Sequence, residues 1–379
     1  MRKRLVFVIN SIGQGGAERA LDIILSGVGD RIKHYELHLV LLDDLPEARA
    51  FPAYVIKHTL DGRGSALRSV LRLNALLARL KPDLVVSFLV RANLASGLAA
   101  WAQGFPLIIC ERMHLSSHLE ARYKPTPLAV LRLALRAAYR NAKVVLGVSS
   151  GVTTDLLANF GVPPCLAKTI FNPYPLERIR QAAAEPPAIA LPADFLVAVG
   201  RLEPSKNFAQ LIDAYAASNP PSDLVILGDG SLRPALHAQI RRLGLEGRIH
   251  MPGFLANPFS VVGRANAYIS ASLNEGFPNA MVEAMVLGLP ILASDCPSGP
   301  AEILDGAVDP QAEAPALATY GLLSPLNRTA PLAAGIARLT DPILRSSLSE
   351  LARTRAETFA APIITEQYWT LFEATSAGG

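Results

Sequence analysis

Two glutamates eight positions apart, Glu275 and Glu283, flank the turn Gly276-Phe277-Pro278-Asn279. Pro278 suits the first position of a helix, where a missing N–H costs nothing. The helix is then expected to run through Ala280, Met281, Val282, Glu283 and Ala284. That puts Glu275 on the loop just before the helix and Glu283 about a turn and a half inside it. The free N–H groups and positive dipole end of such a helix start form an anion site. Two hydroxyl-accepting carboxylates beside a phosphate site suit a sugar nucleotide, one for the sugar hydroxyls and one for the ribose diol. The spacing alone fits a surface helix with two solvated glutamates equally well.

A second cluster lies upstream, in Gly200-Arg201-Leu202-Glu203-Pro204-Ser205-Lys206-Asn207. It places two cations on one loop between an expected strand and an expected helix. Arginine grips phosphate oxygens as a fork, and lysine adds a mobile point charge. In a site without metal, such cations take the charge that develops on a departing diphosphate. Gly228-Asp229-Gly230 and Gly253-Phe254 also follow expected strands; the first suits a plain turn as well as a ligand loop, and the second could present backbone groups to a nucleobase.

The N-terminal half has its own candidates. Gly13-Gln14-Gly15-Gly16-Ala17-Glu18 follows the first expected strand and opens a helix. Glycines there let the backbone approach a phosphate, and Asp43 and Asp44 end the second strand, where a ribose-binding acid would sit. The large Glu18 at the third glycine position weakens a nicotinamide reading. Glu111-Arg112-Met113-His114 follows another strand, in the place where open parallel sheets bind ligands. His114 there would orient a substrate hydroxyl.

These loops need strands to carry them. In the first half strands are expected at Leu5–Ile9, Glu36–Leu42, Leu84–Phe88, Pro106–Cys110, Val144–Val148 and Lys168–Ile170. Helical patterns cover Ala17–Leu25, Ser65–Leu80, Leu94–Gln103, Pro127–Asn141 and Leu156–Phe160. Asn172-Pro-Tyr-Pro175 and the Pro- and Ala-rich Ala182–Pro192 read as the connection between domains. The alternation resumes with strands Phe195–Gly200, Leu224–Leu227, Ile249–Met251, Ala267–Ser270 and Pro290–Ser294. Helices are expected at Phe208–Ala217, Leu232–Leu243, Pro258–Arg264 and Asn279–Leu287, and again from about residue 331 onward. Strands alternating with helices imply α/β architecture, parallel sheets covered on both faces. The similar halves suggest two Rossmann-like domains facing across a cleft.

The 379 residues suit two domains. The cysteines Cys110, Cys165 and Cys296 are scattered, which argues against a disulfide framework or a structural zinc site and fits a reducing compartment. The basic start followed by Leu5–Ile9 mimics a signal peptide, but the apolar run is too short, and a buried strand is expected instead. Net charge is +4, unevenly spread. Through residue 180 there are 24 Lys and Arg against 13 Asp and Glu, or +11; the remainder has 12 against 19, or −7. One half is therefore expected to face something anionic. Aromatics are few and no recognition motif is present, so a membrane surface is favoured over nucleic acid. Arg132, Arg136 and Arg140, and Arg68 with Arg72, recur every four residues beside apolar faces, as suits an anionic bilayer.

Glu275 and Glu283, Gly200-Arg201 with Lys206, and Gly15-Gly16-Ala17-Glu18 together resemble glycosyltransferase family 4, the retaining GT-B enzymes. Ala293-Ser-Asp-Cys-Pro-Ser-Gly-Pro-Ala-Glu-Ile-Leu304 is similar to the same stretch in bacterial members that build surface polysaccharides and glycans. The resemblance spans nearly the whole chain. It implies an acceptor-side domain over residues 1–175, a nucleotide-sugar domain over 176–360, and a last helix within 361–379 crossing back to the first domain. It implies that Glu275 contacts the donor sugar with backbone groups of Gly276, Phe277, Pro278 and Asn279, and that Glu283 holds the ribose. Arg201 and Lys206 bind the diphosphate, with Gly200, Asn207 and Gly228 in the same donor site. Gly15 and Gly16 close over the donor, and the base lies near Phe254. Arg112 and His114 compete for the acceptor-side place, and Asn172-Pro173 stands where relatives have Asn-Gly.

The function so implied is transfer of a hexosyl or N-acetylhexosaminyl group from a nucleotide sugar, with UDP favoured. The acceptor is expected to be a saccharide, lipid-linked, on the cytoplasmic face of a membrane. No Asp-x-Asp motif stands out, and a metal-independent reaction is expected. A sugar-nucleotide epimerase of the same fold, a nicotinamide dehydrogenase and a noncatalytic membrane adaptor are the rivals.

Overall fold

The computed structural model describes residues 2–13 and 15–377; Gln14 of the glycine loop lies outside them. The chain divides into two compact units, one of residues 1–174 with 361–379, the other of residues 175–360.

Unit 1 begins β1 (Lys3–Ile9), α1 (Gly16–Ser26), β2 (Tyr35–Leu41), β3 (Val55–Thr59), α2 (Ala66–Leu80) and β4 (Leu84–Phe88). It continues α3 (Val90–Gln103), β5 (Leu107–Glu111), α4 (Leu115–Glu120), α5 (Pro125–Arg140), β6 (Val144–Gly147), α6 (Ser150–Phe160) and β7 (Ala167–Thr169). All seven strands are parallel, in the order β3-β2-β1-β4-β5-β6-β7. Strands such as β4 are buried along their whole length, because helices cover both faces. Ser65 caps α2 with its hydroxyl, and Gly104 and Gly161 end α3 and α6 in the left-handed region.

Unit 2 runs α7 (Leu176–Ala184), β8 (Phe195–Val199), α8 (Phe208–Ser218), β9 (Asp223–Leu227), α9 (Arg233–Arg242), β10 (Ile249–Gly253), α10 (Phe259–Val262) and β11 (Ala267–Ser270). It ends α11 (Asn279–Val286), β12 (Ile291–Ser294), α12 (Pro300–Leu304), β13 (Ala316–Ala318), β14 (Gly321–Ser324), α13 (Thr329–Arg338) and α14 (Pro342–Glu357). Its sheet, β10-β9-β8-β11-β12-β14-β13, is parallel except for the closing β13–β14 pair. The last helix, α15 (Ala361–Ala377), belongs to unit 1. Its Trp369 and Phe372 are fully buried beside Tyr35 and Phe7, and the Trp369 indole donates to the Ile24 carbonyl at 2.9 Å.

Several elements differ from the sequence reading. Residues 182–184, read as linker, end helix α7, whose earlier residues the sequence reading left unassigned. The edge strand β3 went unread because its residues are mostly polar and half-exposed, which hides the period of two. β5 extends to Glu111, α3 starts four residues early at Val90, and Gly253 ends β10 rather than following it. Pro278 is not the first helical residue. It flanks α11 in extended conformation, its carbonyl accepting from Met281 N–H at 3.1 Å.

Candidate active site

In an open parallel sheet, ligands sit beyond the carboxyl ends of the strands where the order reverses. In unit 2 that point lies between β8 and β11. The loop after β8 carries Gly200, Arg201, Lys206 and Asn207, and the loop after β11 carries Glu275. The fold thus brings the two sequence clusters together. The Lys206 ammonium is ion-paired and hydrogen-bonded to Glu275 Oε1. Both side chains are largely shielded, at 24% and 12% exposure. The stem of Lys206 lies across Gly200, where a Cβ would stand 3.3 Å from it. Leu273 N–H donates to the Ser205 carbonyl at 2.8 Å, tying the two loops by backbone as well.

Arg201 points elsewhere. It is 74% exposed and pairs with Glu203 at 3.0 Å. Asn207 adopts the left-handed region at φ 51° at the start of α8, its amide donating to Gln210. Gly228 is packed so tightly that a Cβ would collide with the Gly200 carbonyl oxygen. Phe254, beyond β10, is 61% exposed and free to stack. Phe277 instead faces inward, edge-on to Phe359 at 5.3 Å. Glu283 is buried on α11.

The sequence reading gave no role to Ser298 and Gly299, which hold the Glu275 loop. Ser298 donates to the Glu275 carbonyl at 2.5 Å. Gly299 sits at φ 97° with Pro278 Cδ 2.5 Å from where its Cβ would be. The turn signal Pro297-Ser-Gly-Pro300 was the clue to both. Asn274 was also missed. Its buried side-chain oxygen has no hydrogen-bond partner among the described residues. Burial and the nearby Glu275 charge raise the Cys296 thiol and the Tyr268 hydroxyl above their ordinary pKa values.

In unit 1 the reversal lies between β1 and β4. Gly15 caps α1 without a side-chain bond, and the Glu18 carboxylate folds over it. Asp43 does not present a free carboxylate for a ribose. Arg91 grips both its oxygens and Gly64 N–H donates at 2.9 Å. Burial pushes the Asp43 carboxyl up, but these partners outweigh it and hold the pKa below the ordinary value.

Arg112 and His114 are both engaged. The Arg112 guanidinium donates to Asn172 Oδ1 and, at 2.9 Å, to the Tyr368 hydroxyl of α15. His114 caps α4, its Nδ1 2.8 Å from the Ser117 hydroxyl, with Nε2 3.9 Å from Asp155. Glu111, one residue before Arg112, is fully buried. Tyr139 donates to it at 2.6 Å and Asn93 at 2.7 Å, while its Oε2 has no partner among the described residues. Burial, against those hydrogen bonds, raises its pKa to about 7.

The loops after β8 and β11 thus form a cation–carboxylate pair at the switch point of a Rossmann-like sheet. A family model described as glycosyl transferases group 1 matches residues 180–355, and one described as Glycosyltransferase Family 4 matches residues 15–178. The chain is 28% identical over 369 residues, 94% of its length and 96% of the relative's, to a Campylobacter jejuni enzyme. That relative is the N-acetylgalactosamine-N,N'-diacetylbacillosaminyl-diphospho-undecaprenol 4-alpha-N-acetylgalactosaminyltransferase. This chain is also 34% identical to the lipopolysaccharide 1,6-galactosyltransferase of Salmonella typhimurium, over 42% of its length and 45% of that enzyme's. Among solved structures, HepE of Anabaena in complex with UDP and glucose superposes with a TM-score of 0.74 at 22% identity, covering 98% of this chain and 100% of that one. The chain belongs to glycosyltransferase family 4, the group 1 glycosyltransferases, and has their α/β GT-B fold. It is a glycosyltransferase of glycan assembly.

Proposed function

We propose that the protein transfers a hexosyl or N-acetylhexosaminyl group, with retention, from a UDP-sugar to a lipid-linked saccharide. The observation that carries this reading is the Lys206–Glu275 pair between the loops after β8 and β11. Lys206 holds the diphosphate and takes its charge as it leaves, while Glu275 accepts hydrogen bonds from the donor sugar. The same donor site would include the Gly200, Gly228 and Asn207 turns, the loop Gly276-Phe277-Pro278-Asn279, and the buried carboxylate of Glu283 for the ribose. Arg201 assists, because an exposed ion pair with Glu203 is worth little and is readily exchanged for phosphate. Phe254 offers its open face to the base. The unpartnered oxygen of Asn274 is an acceptor beside Glu275 that a sugar hydroxyl would satisfy, since a buried unpaired acceptor costs about 1–3 kcal/mol.

Retention is the outcome that the family resemblance implies, and this reading reaches it by front-face transfer rather than through a protein nucleophile. A retaining hydrolase needs two carboxylates across the glycosidic bond. Here Glu275 is committed to a lysine and Glu283 is buried on a helix, so neither is assigned as nucleophile. The departing diphosphate itself accepts the acceptor's proton on the same face, with Lys206 stabilising it. Since Lys206 supplies the cation, the reaction needs no metal; activity lost to a chelator and restored by manganese would count against this.

The name of the Campylobacter relative, which matches over nearly its full length, describes transfer onto a diphospho-undecaprenol-linked saccharide. That supports a lipid-linked acceptor, and this reading places the enzyme on the cytoplasmic face of a membrane. No helix among the described residues is long and apolar enough to cross one. Gly15 and Gly16 belong to the donor site in this reading, and Arg112 or His114 takes the acceptor-side place. The test is product analysis with a purified lipid-linked acceptor: retention predicts that the donor's anomeric configuration is kept, and the opposite anomer would refute it.

A further inference from the structure

Helices α2, α3 and α5 pack side by side on one face of the unit 1 sheet. None of the three contains an aspartate or a glutamate. They carry Arg68, Arg72, Arg79, Arg91, Arg132, Arg136 and Arg140. Soluble surface helices ordinarily intersperse both charge signs. The acids that answer this layer, Asp61 and Glu120, stand in flanking segments and engage only Arg72 and Arg132. Arg91 is turned inward to Asp43. Arg68, Arg79 and Arg140 are exposed, with no acid partner among the described residues.

The same layer exposes apolar side chains. Trp101 on α3 is 76% exposed, Leu67 and Leu71 on α2 are 69% and 62%, and Val130 and Leu133 on α5 are 67% and 69%. Of the six most exposed large apolar residues described, five lie on these three helices, so they are not a random scatter of the kind every surface shows. Leu67 and Leu71 repeat at helical spacing one residue before Arg68 and Arg72, so an apolar stripe runs beside a basic one. Arginine can lay its stem along apolar surface while its head reaches anionic groups, and tryptophan favours the boundary between lipid headgroups and acyl chains.

We propose that the outer face of α2, α3 and α5 docks on an anionic lipid bilayer, with Trp101, Leu67, Leu71, Val130 and Leu133 entering the headgroup region and the arginines meeting lipid phosphates. The acid-free composition selects a polyanionic, apolar partner over an ordinary protein surface. The inference deepens the proposed reaction at a membrane, and its test needs no acceptor.

Full-length protein is floated with vesicles of phosphatidylcholine alone and of phosphatidylcholine with phosphatidylglycerol. Binding is expected only to the phosphatidylglycerol vesicles, weakening as salt is added. Leu133→Asp with Trp101→Asp, and separately Arg68→Glu with Arg140→Glu, should each weaken binding by about tenfold or more. These side chains are exposed, so melting temperature should not move. No vesicle binding by wild type, equal binding to both vesicle types, or variants that bind like wild type would overturn the proposal. So would a dimer, seen by sedimentation, that the Leu133 and Trp101 changes dissolve. Nucleotide release from donor in vesicle-free buffer should be unchanged in both variants. Wild type that neither releases nucleotide nor transfers sugar to a lipid-linked acceptor would sink the proposed reaction while leaving the vesicle result standing.

Discussion

The carbonyl oxygen of Gly200 occupies the place where a side chain on Gly228 would begin. The chain turns at Gly228 with φ 131°, and its N–H donates to the Gly253 carbonyl at 2.9 Å. The ends of β8, β9 and β10 are thereby drawn into one layer beneath Lys206. Gly228→Ala should combine backbone strain with a direct collision and cost about 2–4 kcal/mol. Thermal unfolding should show the loss, and donor KM should rise as the Gly200 loop shifts. A variant with unchanged melting temperature and KM would show that the contact does not matter.

Arg112 joins the end of β5 to Asn172 and to Tyr368 on α15. Arg112→Ala should remove a charge-assisted donor from both groups, at a cost of about 1–3 kcal/mol. Arg112→Lys should restore only part of it, because a point charge cannot serve two acceptors as a planar fork does. Chemical denaturation of the three proteins would measure both effects.

His114 holds two jobs that one substitution separates. Asparagine caps a helix well, so His114→Asn should preserve α4 and the melting temperature, whereas His114→Ala should lose about 1 kcal/mol. If the imidazole orients the acceptor, both variants should lower acceptor-dependent transfer alike while leaving acceptor-free nucleotide release intact. Full transfer activity in His114→Asn would make the residue a cap and nothing more.

Glu111 should give the fold a pH dependence of definite sign. Its pKa rises from an ordinary 4.5 unfolded to about 7 in the native protein. Below 4.5 both states hold the proton, and the stability from the neutral carboxyl is fully present. As pH rises through the window to about 7, the unfolded chain releases its proton first, so stability falls and then levels off. The total is on the order of 3 kcal/mol. Glu111→Gln should flatten this slope and be relatively more stable above the window; a melting temperature that tracks wild type at every pH would rule the effect out.

The alternation of strand and helix made the two-sheet architecture legible, because strands buried on both faces read as continuous apolar runs, as at Leu84–Phe88. Glycine and proline punctuation located Gly200, Gly228 and the Glu275 turn. What stayed hidden depends on long-range pairing. The turn around Ser298 is legible, but not that its hydroxyl will hold the Glu275 carbonyl, 23 positions away. Asn93, Glu111 and Tyr139 look like three unrelated polar residues until α3, β5 and α5 bury them together. Asp43 ended a strand where a ribose acid would sit, but Arg91, 48 positions on, claims it. The two short strands β13 and β14 were lost because three or four residues cannot establish a period.

The central claim is that Lys206 and the paired glutamates form a donor site that activates a nucleotide sugar. The most direct measurement is nucleotide release over a panel of UDP-, GDP- and ADP-sugars, with wild type beside Lys206→Ala and Glu283→Ala. The account predicts release from one class of donor, reduced about 10²–10³-fold in Lys206→Ala, as for loss of one charge-stabilising group, and weakened donor binding in Glu283→Ala. Wild-type release that both variants retain in full would contradict it.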